Sequence, residues 1–249
     1  MNDELVSIIM PAFNCSEFIL ESIQSVQSQT YTNWELIVVD DCSSDGTDKI
    51  AEQIATMDSR IKLFRTSKNS GAAITRNKAI KNANGRYIAF LDSDDIWKEK
   101  KLENQLKFMA DNEIPFSCTA YDKIDRFGNQ RNRTINVKIK QDYNDVLRKS
   151  PGNSTVIYDA SVVGVVNIPD IRKRNDYVMW LQIVKRTKFL YGLDYVLSSY
   201  RVRNGSISRN KFSLVKYQWQ VYRDIEKLSI FKSVNLVIYC TLRVVFKLG

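Results

Sequence analysis

The stretch that most constrains this chain reads Tyr-Ile-Ala-Phe-Leu-Asp-Ser-Asp-Asp, residues 87–95. Five mainly apolar residues in succession, Tyr87 to Leu91, predict a strand in a sheet covered on both faces. The run ends in three carboxylates within four positions, Asp92, Asp94 and Asp95. Side chains two apart at a strand end point to the same side, so Asp92 and Asp94 can reach one hard cation. Carboxylates this close repel unless a cation or hydrogen-bond donors compensate them. A solvated acidic turn with Asp95 capping a following helix accounts for the same residues without a ligand. The neighbouring segments decide between the two.

Apolar runs at 5–10, 36–39 and 61–64 predict three further strands. Pro11 is expected to stop the first, having no N–H for a central ladder. Ile19, Ile23 and Val26 share one face of a helix over about 17–28, with Asn14 or Ser16 as its cap. The turn-rich stretch 40–47 opens a helix carrying Ile50, Ile54 and Met57, and 69–71 opens another that Asn84-Gly85 closes. Strands alternating with helices through short connections predict a mainly parallel, doubly wound sheet. Ligands of such sheets sit beyond the carboxyl ends of the strands. Three polar clusters fall there, at 11–17, 40–47 and 92–95, so they are expected to share one site.

Further on, the pattern predicts a helix with Leu102, Leu106 and Met109, a strand at 116–120 and a hairpin turn at 126–129. A strand at 154–158, a helix at 176–186 and a strand at 196–202 follow, and 211–248 reads as helical throughout. In the last of these, Lys232, Asn235, Arg243 and Lys247 form a polar stripe. The ten residues between Lys232 and Arg243 are too few to span a bilayer. The segment fits equally a helix packed on its own domain, one pairing with a second copy in a homodimer, or one lying on a membrane surface.

Composition narrows the chemistry. The 249 residues include no histidine, which removes Ser-His-Asp and Cys-His catalysis and imidazole metal ligands. Acid–base work therefore falls to carboxylates, Lys, Tyr or Cys, and a bound metal is expected to be an oxygen-liganded one. Cys15, Cys42, Cys118 and Cys240 are scattered, which argues against a disulfide scaffold or zinc site and fits a reducing cytoplasm. An acidic start (residues 1–4) and a short first apolar run give no expectation of a signal peptide. Residues 201–249 hold ten Lys/Arg against two Asp/Glu, a balance of +8 within a net charge of +9. A basic tail on a nearly neutral body predicts an anionic partner.

These residues resemble a family. Pro11-Ala12-Phe13-Asn14, Val38-Val39-Asp40-Asp41-Cys42-Ser43-Ser44-Asp45-Gly46-Thr47, Asn69-Ser70-Gly71 with Arg76-Asn77, Asp92-Ser93-Asp94, and Asp176 with Trp180 stand in the order of glycosyltransferase family 2. Those are inverting enzymes with a GT-A fold, and the resemblance covers about residues 5–208. It is strongest to the bacterial transferases of O-antigen (lipopolysaccharide), capsule and cell-wall polysaccharide. The resemblance implies an α/β, Rossmann-like, mainly parallel sheet flanked by helices, with a C-terminal helical extension. Residues 1–95 would form the nucleotide-binding half and 96–208 the acceptor half of one domain, and 209–249 a basic amphipathic extension. It also implies a UDP-sugar donor (glucose, galactose or their N-acetyl forms), a lipid-linked undecaprenyl-pyrophosphate saccharide acceptor, and Mn²⁺ or Mg²⁺. The basic tail then suggests a peripheral place on the cytoplasmic face of the plasma membrane.

By the same resemblance, Pro11, Ala12, Asn14 and Glu17 line the nucleotide pocket. Asp41, or alternatively Asp40, accepts from the uracil N–H or meets its ribose. Arg76 contacts the nucleotide, Asp92 and Ser93 meet the ribose, and Asp94 with Asp92 ligates the metal. Asp176 is the base that takes the acceptor hydroxyl's proton on the face opposite the leaving group. Arg201, Arg203, Ser206 and Ser208 are expected on a loop that orders over bound UDP. Plainer readings stand beside these: Asp41 or Ser43 as a helix cap, Arg76 as a surface arginine, Asp176 as an N-cap. Two departures matter. Many relatives carry Glu-Asp where this chain has Asn175-Asp176, and many carry His where it has Arg203, which cannot ligate a metal but can clamp a diphosphate.

Two other classes fit the sequence less well. A sugar-nucleotide nucleotidyltransferase would need a Gly-rich basic loop after the first strand, and Pro11-Ala12-Phe13-Asn14 has neither glycine nor charge. A non-enzymatic binder of membrane or nucleic acid could use the basic tail with Tyr217, Trp219 and Tyr222. Those aromatics keep helical spacing with Val215 and Ile225, so core packing accounts for them and nucleic acid is not expected.

Overall fold

The computed structural model describes residues 3–203 and 211–245. Strands β1 (Val6–Ala12), β2 (Trp34–Asp40), β3 (Ile61–Arg65) and β4 (Tyr87–Phe90) alternate with helices α1 (Ile19–Gln27), α2 (Thr47–Met57) and α3 (Ala72–Lys81). Then come β5 (Ile96–Trp97), α4 (Lys101–Asp111), β6 (Phe116–Ile124), β7 (Gln130–Ile135), β8 (Lys140–Gln141) and α5 (Tyr143–Arg148). A 3₁₀ turn (Asn153–Thr155) precedes β9 (Ile157–Asp159), α6 (Ala160–Val163), α7 (Asn175–Thr187) and β10 (Leu190–Arg201). The chain ends in α8 (Lys211–Gln220), a π-helical turn (Val221–Ile225) and α9 (Ile230–Val245).

The strands form one sheet in the order β3-β2-β1-β4-β9-β6-β10-β5, with β7 beside β6 and β8 beside β10. β1 pairs in parallel with both β2 and β4, and β2 with β3, as the strand–helix alternation predicts. β9 runs antiparallel to β4 and β6, so the sheet is mixed beyond β4. Side-chain alternation divides the core in two. Ile9, Ile37, Val39, Ile88 and Phe90 pack with α3, α5 and α7, whose Trp180 meets Phe90 edge-on at 4.9 Å. Ile8, Met10, Leu36, Val38, Ala89 and Leu91 face the other way, onto α1, α2 and α4. Burial on both faces is why these strands read as unbroken apolar runs.

Several boundaries differ from the sequence reading. β1 continues through Pro11, which pairs with Val39. β4 pairs only as far as Ile9, so the proline lies where β1 has one neighbour and its missing N–H leaves no inner bond unmade. Neither Asn14 nor Ser16 caps α1, and Asp95 is followed by the short β5 rather than by a helix. β6 runs on to Ile124 and β10 starts at Leu190, each longer than expected, because the two pair with one another along most of their length. The long C-terminal helix is broken between α8 and α9, with Lys227 in the left-handed region at φ 54°. The buried Glu226 side chain anchors the break, meeting Lys185 Nζ at 2.5 Å and the Tyr143 hydroxyl. Val221, Tyr222 and Leu236 are buried in the same core layer as α7.

Candidate active site

β1, β2 and β4 end side by side, so the loops that follow them meet. The first two loops are laced together. Asn14 N–H donates to Ser43 Oγ at 2.9 Å, Ser44 N–H to Asn14 Oδ1 at 2.9 Å, Cys15 N–H to Thr47 Oγ1 at 2.8 Å and Ser16 N–H to Asp45 Oδ2 at 2.9 Å. Partial burial raises the Asp45 carboxyl, but bonds from Thr47 and Ser16 outweigh it and hold it at about 2. The Asn14 side chain, expected to face a nucleotide, is thus engaged by the neighbouring loop, with its backbone at φ 44°. Pro11 and Ala12 form the floor as the last residues of β1. Glu17 lies at the rim, where Arg126 donates to both of its oxygens at 2.8 and 2.9 Å.

The paired acids after β2 divide their work. Asp41 accepts from Ser70 N–H (2.9 Å), Gly71 N–H (2.7 Å) and Thr66 Oγ (2.9 Å), which shapes the loop leading into α3. It caps no helix after β2; it builds the adjacent loop. Asp40 is buried and its Oδ2 accepts from Ser43 N–H at 3.0 Å, while Oδ1 has no partner among the described residues. A cavity of about 330 Å³ opens between residues 69–73 and Asp170, Ile171 and Arg172. Another of about 340 Å³, lined by Tyr31, Arg86 and Tyr87, opens at the amino end of β4, away from these loops.

Asp92 is the hub. Its Oδ1 accepts from Arg76 Nη2 at 2.9 Å and from Asn153 Nδ2 at 2.8 Å, and its N–H donates to Ser154 Oγ at 3.0 Å. Arg76, almost entirely buried, reaches the other way to Asn175 Oδ1 at 2.5 Å. A single guanidinium therefore joins the end of β4 to the first residue of α7, where Asp176 follows. Burial pushes the Asp92 carboxyl up; Arg76 opposes the rise, and the negative charges of Asp94 and Asp176 add to it. The N-cap residue of α7 is Arg174, at φ 66°, and no side chain caps the helix, so capping does not account for Asp176.

Asp94 and Asp95 diverge. Asp94 Oδ2 accepts from Arg203 Nε at 2.6 Å, and both side chains remain partly open to solvent. Asp95 is buried, and burial with the charges of Asp94 and Asp92 drives its carboxyl well above the usual range. Its oxygens accept from Ser154 Oγ (2.6 Å) and Arg201 N–H (3.0 Å), so it clamps the β4 end to β10. Ser93 is buried against Cys15, whose thiol is raised by its own burial against the bonds from Ser93 and Thr47.

Arg201 corrects the expectation of a loop residue over the nucleotide. It closes β10 and is buried, donating Nε to the Asp94 carbonyl (2.8 Å), Nη1 to the Arg126 carbonyl (3.1 Å) and Nη2 to Glu21 (2.5 Å). With its donors engaged below the surface, it supports the Asp94 turn from beneath. Ser206 and Ser208 lie outside the described residues. Sequence reasoning passed over Asn153, Ser154 and the partner role of Asn175. The Pro151-Gly152 pair before them signals a turn, but nothing local says that the turn folds back onto Asp92.

Among the described residues no three His, Cys, Asp or Glu side chains gather to hold a metal ion. Asp92 Oδ2 and Asp94 Oδ1 carry no hydrogen bond among the described residues. Two carboxylate oxygens completed by substrate phosphates and water fit Mg²⁺ or Mn²⁺, cations that bind through one or two carboxylates plus phosphates.

This mixed sheet, with acids and arginines gathered at its carboxyl end, is a GT-A fold. The model of glycosyl transferase family 2 matches residues 7–164. TuaG of Bacillus subtilis, named for teichuronic acid biosynthesis, is 42% identical over 230 residues, covering 92% of this chain and 91% of that one. WfgD of Escherichia coli, a UDP-Glc:α-D-GlcNAc-diphosphoundecaprenol β-1,3-glucosyltransferase, is 43% identical over 231 residues, covering 90% and 87%. Among solved structures, TarS 1–349 of S. aureus in complex with UDP-GlcNAc superposes with a TM-score of 0.72 at 18% identity, over 95% of this chain and 71% of that one. The chain belongs to glycosyl transferase family 2.

Proposed function

We propose that the chain transfers a hexose from a UDP-sugar to a hydroxyl of an undecaprenyl-pyrophosphate-linked saccharide, with inversion, in bacterial surface polysaccharide synthesis. The observation that most supports this reading is the Arg76 bridge, which joins Asp92 to Asn175, the residue immediately before Asp176. WfgD supplies the substrate analogy: it uses UDP-Glc and a GlcNAc linked to diphosphoundecaprenol.

In this reading the uridine lies over Pro11 and Ala12, beside the loop that Asp41 orders. Asp92 Oδ2 and Asp94 Oδ1 would hold Mn²⁺ or Mg²⁺ with the diphosphate, and a cation there supplies neutralisation of charge on the departing UDP. Arg203, poised on Asp94, is the protein's own cation for the same diphosphate. Asp176 accepts the proton of the acceptor hydroxyl as its oxygen attacks C1, and UDP leaves on the opposite face. One displacement with one base inverts the anomeric centre. An acceptor anchored by a polyprenyl chain places the enzyme at the cytoplasmic membrane face, where UDP-sugars are made. No helix among the described residues is long and apolar enough to cross a membrane.

The test is UDP release from a panel of UDP-hexoses with a synthetic pyrophosphate-lipid saccharide as acceptor, and NMR of the product's anomeric configuration. A β-linked product from an α-linked donor supports the reading. A retained configuration, or UTP-dependent pyrophosphate release from a sugar phosphate instead, would overturn it.

A further inference from the structure

α9 is apolar on two opposite sides. One side packs on the protein: Ser233 and Leu236 are buried, Val237 packs on the core and Tyr222 reaches Cys240. The other side has no cover among the described residues. Phe231 is 79% exposed, Val234 40%, Ile238 51% and Leu242 47%, at spacings of three, four and four residues. Those intervals stack the four side chains along one line of the helix, about 16 Å from first to last at 1.5 Å per residue. A soluble surface helix keeps its outward face polar, and a continuous line of large apolar groups marks a docking surface.

The surrounding charge selects the occupant. α9 contains no acidic residue. Lys232 flanks the line, its Nζ donating to the neutral Asn144 Oδ1 at 3.1 Å. Exposed Arg148 adds a second cation on the neighbouring α5. A second copy pairing antiparallel through this line by a two-fold axis would lay one basic, acid-free helix on another, with no carboxylate on either to offset Lys232. An anionic lipid surface instead accepts the apolar line into its acyl boundary and neutralises the flanks.

We propose that the Phe231–Val234–Ile238–Leu242 line of α9 inserts into the surface of an anionic bilayer, with Lys232 and Arg148 on the headgroups. This rests on the reading of a membrane-anchored acceptor and gives it a physical attachment. Because α9 packs on α5, and α5 on α7, the inserted helix also fixes the Asp176-bearing helix relative to the bilayer.

The test is co-sedimentation of the full chain with vesicles of phosphatidylcholine alone or with 30 mol% phosphatidylglycerol, for wild type and for the double variant Phe231→Ser/Ile238→Ser. UDP release with a water-soluble acceptor and the oligomeric state are measured in parallel. Expected are wild-type binding to the phosphatidylglycerol vesicles that weakens with salt, more than tenfold weaker binding by the variant, and equal turnover on the soluble acceptor. Equal vesicle binding by both proteins overturns the proposal. So does a wild-type dimer that ignores vesicles and becomes a monomer in the variant. Absence of turnover on any acceptor by either protein would count against the transferase reading while leaving the vesicle result to stand on its own.

Discussion

Replacing Arg76 by Gln keeps hydrogen-bond donors but deletes the charge that joins β4 to α7. Wild-type Arg76 lies 2.9 Å from Asp92 Oδ1 and 2.5 Å from Asn175 Oδ1. Without it, Asp92 keeps Asp94 and Asp176 as its charged neighbours. Stripping one partner from a buried ion pair costs about 3–5 kcal/mol. Side-chain exposure is 8% for Arg76 but 30% for Asp92, so water relieves part of the loss and the lower end, about 3 kcal/mol, applies. In a chain of this size that lowers Tm by about 6–12 °C. The pH dependence has a definite sign. Asp92 already sits above the usual carboxylate range, mainly through burial and against the pull of Arg76. A carboxyl raised in the fold brings no penalty below its unfolded pKa, and the penalty grows as pH climbs through the folded value. Deleting Arg76 raises it further, so the variant loses less stability at pH 5 than at pH 8. Thermal unfolding by circular dichroism at both pH values, with UDP titration by calorimetry, measures this. A wild-type Tm, or a loss that is larger at pH 5, refutes the reasoning.

Lys101 is fully buried, with Nζ 2.7 Å from Gln105 Oε1 and 4.4 Å above the Trp97 ring, and burial lowers its amine to about 7. The unfolded chain holds that proton up to a pH of about 10, so stability gains about 1.4 kcal/mol per pH unit from about 7 to about 10. Lys101→Met should flatten this slope in denaturant titrations; an unchanged slope contradicts it. Arg203→Ala removes the cation held 2.6 Å from Asp94 Oδ2 and assigned to the diphosphate, so at saturating Mn²⁺ the UDP dissociation constant should rise severalfold. An unchanged or lower constant would contradict that role for Arg203.

What the sequence made legible is what local rules govern. Unbroken apolar runs announced β1, β2 and β4, and clusters of Asp, Ser and Gly announced the loops beyond them, because strand burial and turn chemistry act over a few residues. Partnerships across 60 to 180 positions carry no such signal. Asn153 reads as an ordinary turn residue, yet it is bonded to Asp92, and Asn175 is the far anchor of Arg76. Arg201 at a strand end reads as an exposed cation that could reach a phosphate; the Asp94 and Arg126 carbonyls and Glu21 draw it inside instead. The break before α9 was hidden because a lysine at positive φ has no composition signature and Glu226 is held by residues 41 and 83 positions away. Apolar periodicity found α9 but not its two sides, since the pattern alone cannot say which side the protein covers.

The central claim is that Asp176 takes the proton while the Asp92–Asp94 side holds the nucleotide, and Asp176→Asn separates the two roles. The substitution keeps shape and polarity and leaves the Arg76 bridge to Asn175 intact. Turnover of donor and lipid acceptor should fall by about 10³-fold or more, as expected for loss of a general base, with the UDP dissociation constant unchanged. Turnover within a few fold of wild type, or loss of UDP binding in step with turnover, would contradict the account.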